Sequence, residues 1–356
     1  MDLELKNRIE LENKRRVNWG FGVAILCALL WGIGYAAAEV SWYIPPFDTF
    51  EAFPEGAEGM LVATCARAAV YAIVAFAVIN TIWLGTMGKI GDFSNNIKKY
   101  HISKWYLIGA GLGGPFAAYG TDLAIGYVGA GFAAAASILT ALVGAFAAKL
   151  WYGENITSKA WIGIGVLFIG GILILNPINL IYELRNPAAP DGLWMGYLGG
   201  FAATIGWGLE GAIAGRVLDV SDSDLGVAMR LFYEAALWTV LITPIFALIF
   251  GVDVMITAIV ATATSIPYIF WTIITIMTLG LSYVFLYKSY PLIGVGRGMS
   301  ISTTYVLFAI LSLYIFLGSA TDLWIIAGAA VAGAGVFIMY WDSGESLLES
   351  TRTGEE

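Results

Sequence analysis

The sequence predicts an all-α polytopic membrane protein with ten transmembrane helices arranged as two inverted five-helix repeats. Three observations carry this expectation. Residues of the AVILMFWYC set fill 59% of the 356 positions and Asp, Glu, Lys and Arg only 12%, against roughly 45–50% and about 25% in soluble domains. The chain divides into ten apolar segments near the ~20 residues that cross ~30 Å of hydrocarbon as a helix. Six small residues recur at one fixed spacing. A mean hydropathy of +0.79, with 13 Trp and 43 Gly, fits helices packed through small residues and belted by aromatic ones.

In chain order, residues 1–18 form a cytoplasmic segment in which Lys6, Arg8, Lys14, Arg15 and Arg16 mix with acids, with no apolar core of a signal peptide before residue 19. The apolar segments cover about 19–42, 60–84, 104–123, 128–150, 158–176, 194–215, 226–250, 266–288, 293–317 and 323–341. The first five make up a repeat within 19–180 and the other five a repeat within 190–341; the acidic tail 342–356 reads as disordered. With the N-terminus inside, sixteen of the 18 Lys and Arg fall on the inner side, and only Arg67 and Arg185 lie in the outer half. The positive-inside rule therefore places the chain in the inner (cytoplasmic) membrane, N-in and C-in. The first outer loop, 43–59, carries Asp48, Glu51, Glu55 and Glu58 and no basic residue. It reads either as a solvated connector or as an attractor of cations.

The repeat appears when each residue is compared with the one 165 places later. Gly129 and Gly131 return as Gly294 and Gly296, Ser137 as Ser302, Gly153 as Gly318, Gly163 as Gly328 and Gly170 as Gly335. At nearby offsets Trp31-Gly32 returns as Trp207-Gly208, and Arg67 as Arg230. Five helices per unit is an odd number, so the second unit enters the membrane upside down. Secondary transporters are built this way, with the substrate site near the midplane between the halves.

Several motifs carry no chemistry. Gly109-Ala-Gly111-Leu-Gly113-Gly114 satisfies GxGxxG but lies in an apolar helix with no preceding strand, so helix packing explains it better than nucleotide binding. Cys27 and Cys65 sit in apolar runs and read as packing residues. Asn155-Ile-Thr157 falls on the cytoplasmic side, where glycosylation does not occur. The single histidine, His101, lies in a cytoplasmic loop, which leaves no HExxH metal site and no serine-protease pair. The expectation is a protein that is not an enzyme and has no cofactor, no resident metal and no nucleic-acid partner; its oligomeric state is not legible.

Ionisable residues inside spans are costly and therefore mark function by default. Glu39, Asp122, Lys149 and Lys288 lie near helix ends, where snorkelling accounts for them. Arg230 and Glu234 are four residues apart, on one helical face, and read as an ion pair. Glu210 is deeper, one turn after Trp207, so a carboxylate and a large ring can face the same cavity. Trp31 is the repeat partner of Trp207, Tyr35 is one turn along, and Tyr119, Tyr283 and Tyr287 add further rings. Two Trp, several Tyr and one carboxylate suit an organic cation, each desolvated ring face contributing about 2 kcal/mol. Burial of Glu210 also raises the expectation that a proton takes part in transport.

The passages Leu-Leu-Trp31-Gly32-Ile-Gly, Ala-Ile-Gly-Tyr127-Val-Gly129 and Leu-Trp-Tyr-Gly153-Glu154-Asn-Ile-Thr157 resemble the ten-helix drug/metabolite transporter (EamA-like) superfamily. The likeness covers nearly the whole membrane region and departs from the pattern at Ser319, where the second repeat should carry Glu. Within it the chain looks most like LicB-type choline importers, through Gly114-Pro115, Trp207-Gly208-Leu-Glu210, Ser221-Asp-Ser-Asp-Leu and Phe316-Leu-Gly318-Ser-Ala-Thr-Asp322-Leu. The resemblance implies choline as substrate, held in an aromatic pocket by Trp31, Trp207 and Glu210. The superfamily also contains exporters of amino acids and other metabolites, which would place weight on Arg67 or Arg230. A membrane-embedded enzyme and a channel are the readings outside transport.

Overall fold

A computed structural model describes residues 3–152, 158–174, 176, 178, 193–218, 220–293 and 295–340. The Gly153–Thr157 motif, Arg185, Gly294 and the tail 342–356 lie outside the described residues. Among the described residues all regular structure is helical. Five stretches, Leu11–Val40, Gly56–Thr86, Ala130–Trp151, Ser223–Phe250 and Ile266–Ile293, are long and apolar enough to cross a bilayer, and four shorter apolar helices accompany them. Large apolar side chains cover the outside of the bundle, with Leu248 and Ile266 83% and 82% exposed. This is an all-α membrane protein, because only lipid makes such a surface favourable.

The elements run α1 (Leu3–Val40), α2 (Gly56–Thr86), α3 (Ile90–Ile97), α4 (residues 100–128), α5 (residues 130–152), α6 (Ser158–Ile174), α7 (Leu193–Val217), α8 (Ser223–Phe250), α9 (Val252–Thr264), α10 (Ile266–Ile293), α11 (residues 295–317) and α12 (Leu323–Tyr340). Two were not expected from the sequence. Residues 251–265 read as a loop but form α9, whose buried Met255, Ala258 and Thr262 pack on α2. The basic segment between the second and third apolar stretches folds into the short helix α3. The helix α1 also begins at Leu3, so the segment expected to precede the first span is continuous with it.

The last six elements repeat the first six in kind and order. Wide π turns interrupt α2 at Ile79–Trp83 and α4 at Leu112–Ala118, and likewise α8 at Trp238–Ile242 and α10 at Ile276–Gly280. The helix α5 breaks after Ser137 and resumes at Thr140, and α11 breaks after Ser302 and resumes at Tyr305, 165 residues later in both cases. Gly129 (φ 109°) joins α4 to α5, and Gly251 (φ 105°) joins α8 to α9. A side chain at either position would be strained.

Packing follows the same symmetry. The helix α1 lies against α10 and α11, as α7 lies against α4 and α5, while α2 meets α8 and α6 meets α12. Glycines make the last contact close: a Cβ on Gly328 would stand 2.8 Å from the Gly170 carbonyl oxygen, and one on Gly335 would stand 2.7 Å from that of Gly163. These are the recurring glycines of the sequence, each meeting the counterpart of its neighbour, as a two-fold axis requires.

The loop between α1 and α2 is not the solvated connector that its charge suggests. Asp48, Glu51, Glu55 and Glu58 are exposed, but Phe47 and Phe53 are buried and stack at 5.2 Å, with Phe47 also against Tyr268 of α10. The loop therefore caps one end of the bundle, here termed the loop end. Lys89, Asp222 and Asp224 mark the opposite, lysine end.

Candidate functional site

A cavity of about 120 Å³ runs through the middle of the bundle, well above the ~10–15 Å³ that one water requires. Rings form much of its wall. Trp31 stacks on Tyr305 (centroids 5.1 Å apart), meets Tyr283 at 5.2 Å and meets Trp207 edge to face at 5.9 Å. Tyr35 stacks on Tyr305 at 5.6 Å and its hydroxyl donates to Ser137 Oγ at 3.3 Å. Trp207 Nε1 donates to the Gly113 carbonyl at 3.2 Å, which fixes the indole on the π turn of α4.

Beside the rings lies a buried charge cluster. Arg230 Nε donates to Glu210 Oε1 at 2.7 Å, and a terminal nitrogen of the same guanidinium donates to Glu234. All three side chains are nearly fully buried. The guanidinium carbon also lies 4.6 Å from the Tyr283 ring centroid. Two carboxylates against one guanidinium leave one net negative charge. Gly113 and Gly114 make the space for it: a Cβ on Gly113 would stand 1.8 Å from Glu210 Oε2, and one on Gly114 would stand 2.6 Å from Glu234 Cγ. The GxGxxG stretch thus serves close approach of backbone to charge, a more particular role than helix packing.

The carboxylate that faces the large cavity is Glu234, while Glu210 faces a second, smaller cavity on the other side of the tryptophans. Trp31, Trp207 and Tyr283 border both cavities, Tyr35 the larger and Tyr287 the smaller. Tyr119 stands apart. Its hydroxyl donates to the Leu61 carbonyl at 3.2 Å and its ring packs on Trp238 and Phe246, away from either cavity.

Sequence reading did not single out Tyr71, Tyr268 or Tyr305 as wall residues. Tyr71 had a signal, since it lies four residues after Arg67, as Glu234 lies four after Arg230. Tyr305 had none, because its position depends on the break in α11.

At the loop end, Arg67 and Asp122 form a two-pronged pair at 2.8 and 3.0 Å, and Arg67 donates further to the Ser41 carbonyl and hydroxyl. Its guanidinium lies 4.0 Å from the Trp42 ring centroid and 5.0 Å from that of Phe47. Asp122 is therefore not a snorkelling residue: tertiary structure brings it to a buried arginine 55 residues away. Glu39 likewise turns inward to accept the N–H of Ala130 at the start of α5, where a carboxylate complements the helix dipole.

At the lysine end, Lys89 Nζ donates to Asp222 (2.8 Å) and Asp224 (2.7 Å), and Asp224 also pairs with Lys288 (3.0 Å) and accepts from Trp83 Nε1 (2.8 Å). Partial burial disfavours the Lys89 ammonium, but the hydrogen bonds to the two carboxylates outweigh it and hold its pKa above the usual lysine value. Lys288, too, is paired rather than merely snorkelled. Lys149 fits the interfacial reading, exposed and 5.2 Å from the Trp161 ring centroid.

No family model matches the chain, and no curated protein does. A solved structure described only as "Crystal structure of protein" is similar at 16% identity and a TM-score of 0.47, over 95% of this chain and 99% of its own. Similarity at that level carries no argument about fold or function.

Proposed function

We propose that the protein is a secondary transporter of small organic cations, choline or a similar quaternary amine, working by alternating access. The observation that carries this reading is the large cavity, with faces of Trp31, Trp207 and Tyr283 beside a cluster that holds one net negative charge. A quaternary ammonium has no N–H to donate, so ring faces and a nearby negative charge are the groups that recognise it. The two ion-pair layers, Arg67–Asp122 and Lys89–Asp222–Asp224–Lys288, close the path at either end and serve as gates.

The proposal includes ten crossings in two inverted repeats, supported by the matching order of elements and the symmetric packing. It places the lysine end in the cytoplasm, N-in and C-in, because most Lys and Arg gather there. The motifs quoted above place the chain in the drug/metabolite transporter superfamily, near the choline importers. Inward movement of one positive charge gains ~2.3 kcal/mol per 100 mV of inside-negative potential, so import requires no coupled ion.

Export of amino acids or other metabolites fits less well. Such ligands carry a carboxylate, and the two arginines on the cavity are each already engaged by acidic side chains. The test is uptake of labelled choline into proteoliposomes under an imposed inside-negative potential. Saturable uptake that is lost in Trp31→Ala and in Glu234→Gln supports the reading. A folded wild type that takes up no quaternary amine refutes it.

A further inference from the structure

The smaller cavity, about 30 Å³, is separated from the larger one by a wall one ring thick, made of Trp31, Trp207 and Tyr283. Each cavity has its own carboxylate, Glu234 on one side and Glu210 on the other, and Arg230 is bonded to both. Lying 20 residues before Arg230 on a different helix, Glu210 has no reason to share that guanidinium unless the cluster spans the wall.

We propose that the smaller cavity is a second station for the same organic cation, on the lysine side, with Glu210 as its carboxylate. This rests on the organic-cation reading above. With the cation against Glu234, the guanidinium pairs with Glu210. Once the cation has passed the ring wall to Glu210, the guanidinium pairs with Glu234. One net negative charge thus serves two positions, and neither buried carboxylate is left uncompensated, the condition that makes breaking a buried pair so costly. No bond is made or broken; the cation and the guanidinium exchange partners.

In this structure the second station is closed down to the room of about two waters. Its surroundings are built to widen. Thr140 and Thr303, on its wall, lie at the breaks of α5 and α11, where the helical ladder is already interrupted. Met299, also on the wall, is unbranched and repacks readily. The two breaks are repeat counterparts, so one symmetric movement can open this side as the other closes.

The experiment measures choline transport in both directions in proteoliposomes of sorted orientation, for the wild type, Glu210→Gln and Glu234→Gln. Glu234→Gln is expected to raise the KM from the loop side about tenfold, with a change under threefold from the lysine side, and Glu210→Gln to do the converse. Equal shifts in both directions for both variants, or an effect of Glu234 alone, would overturn the proposal. Absence of any cation transport by the wild type is measured first and removes the underlying reading instead.

Should either glutamine variant fail to fold, Gly211→Val tests the station without touching the charges. The Gly211 Cβ position borders the smaller cavity, 3.6 Å from Met299 Cε. Choline binding, read by tryptophan fluorescence, should stay within threefold while transport falls at least tenfold. Unchanged transport would refute the second station.

Discussion

Trp31 and Trp207 stand edge to face, ring centroids 5.9 Å apart and planes at 79°, although 176 residues separate them in the chain. They occupy matching places in the two halves and together form most of the wall between the cavities. Replacing either by Ala is expected to weaken choline binding ~30-fold, the equivalent of the ~2 kcal/mol of one desolvated ring face. Phe at the same position should recover a good part of it. Equilibrium titration of purified protein measures this, and an Ala variant that binds like the wild type would remove the rings from the site.

Arg230 should matter for folding as much as for binding. Arg230→Met leaves Glu210 and Glu234 buried without a counter-charge, a loss of ~3–5 kcal/mol for a broken buried pair. Adding Glu210→Gln and Glu234→Gln to it should restore most of the lost thermal stability while leaving cation binding absent. If the single variant melts like the wild type in detergent, the cluster is not a stabilising unit.

Gly113 and Gly165 form a contrasting pair. A Cβ on Gly113 would collide with Glu210, whereas one on Gly165 would meet nothing within 4 Å. Gly113→Ala should therefore displace the charge cluster and abolish transport. Gly165→Ala should be neutral or stabilise by roughly 0.5–1 kcal/mol, as expected for a glycine in a helix interior. Melting temperatures and uptake of the two variants side by side decide the matter; retained transport in Gly113→Ala would show that the helix can yield.

The lysine end should be sensitive to alkali. The pKa of Lys89 is raised in the folded protein, so its contribution to stability is complete below the ordinary lysine value and is lost as pH rises through the raised one. Neutral and mildly alkaline solutions should leave it intact. The difference in melting temperature between wild type and Lys89→Met should therefore be constant from pH 6 to 9 and shrink above about pH 10.5. A difference that grows with pH would contradict the pairing with Asp222 and Asp224.

Much of the fold was legible in the residues because lipid imposes a simple rule. A chain that must satisfy its backbone inside hydrocarbon forms helices, and apolar runs of the right length mark them. The recurring glycines were legible for a related reason: helices can approach to backbone contact only where side chains are absent, so Gly163, Gly170, Gly328 and Gly335 record the α6–α12 contact directly. The pairing of Arg230 with Glu234 could be read from helical spacing alone.

What only the tertiary structure decided is which distant groups meet. Nothing along the chain links Asp122 to Arg67 or Glu210 to Arg230, and nothing announces that Phe47 and Phe53 fold back over the loop end beneath four exposed acids. Nor could spacing assign Glu234 to one cavity, Glu210 to the other and Tyr119 to neither. Sequence periodicity specifies a face within one helix; the rotation and depth of each helix against its neighbours come from packing between helices, and those two quantities set which side chain reaches which cavity.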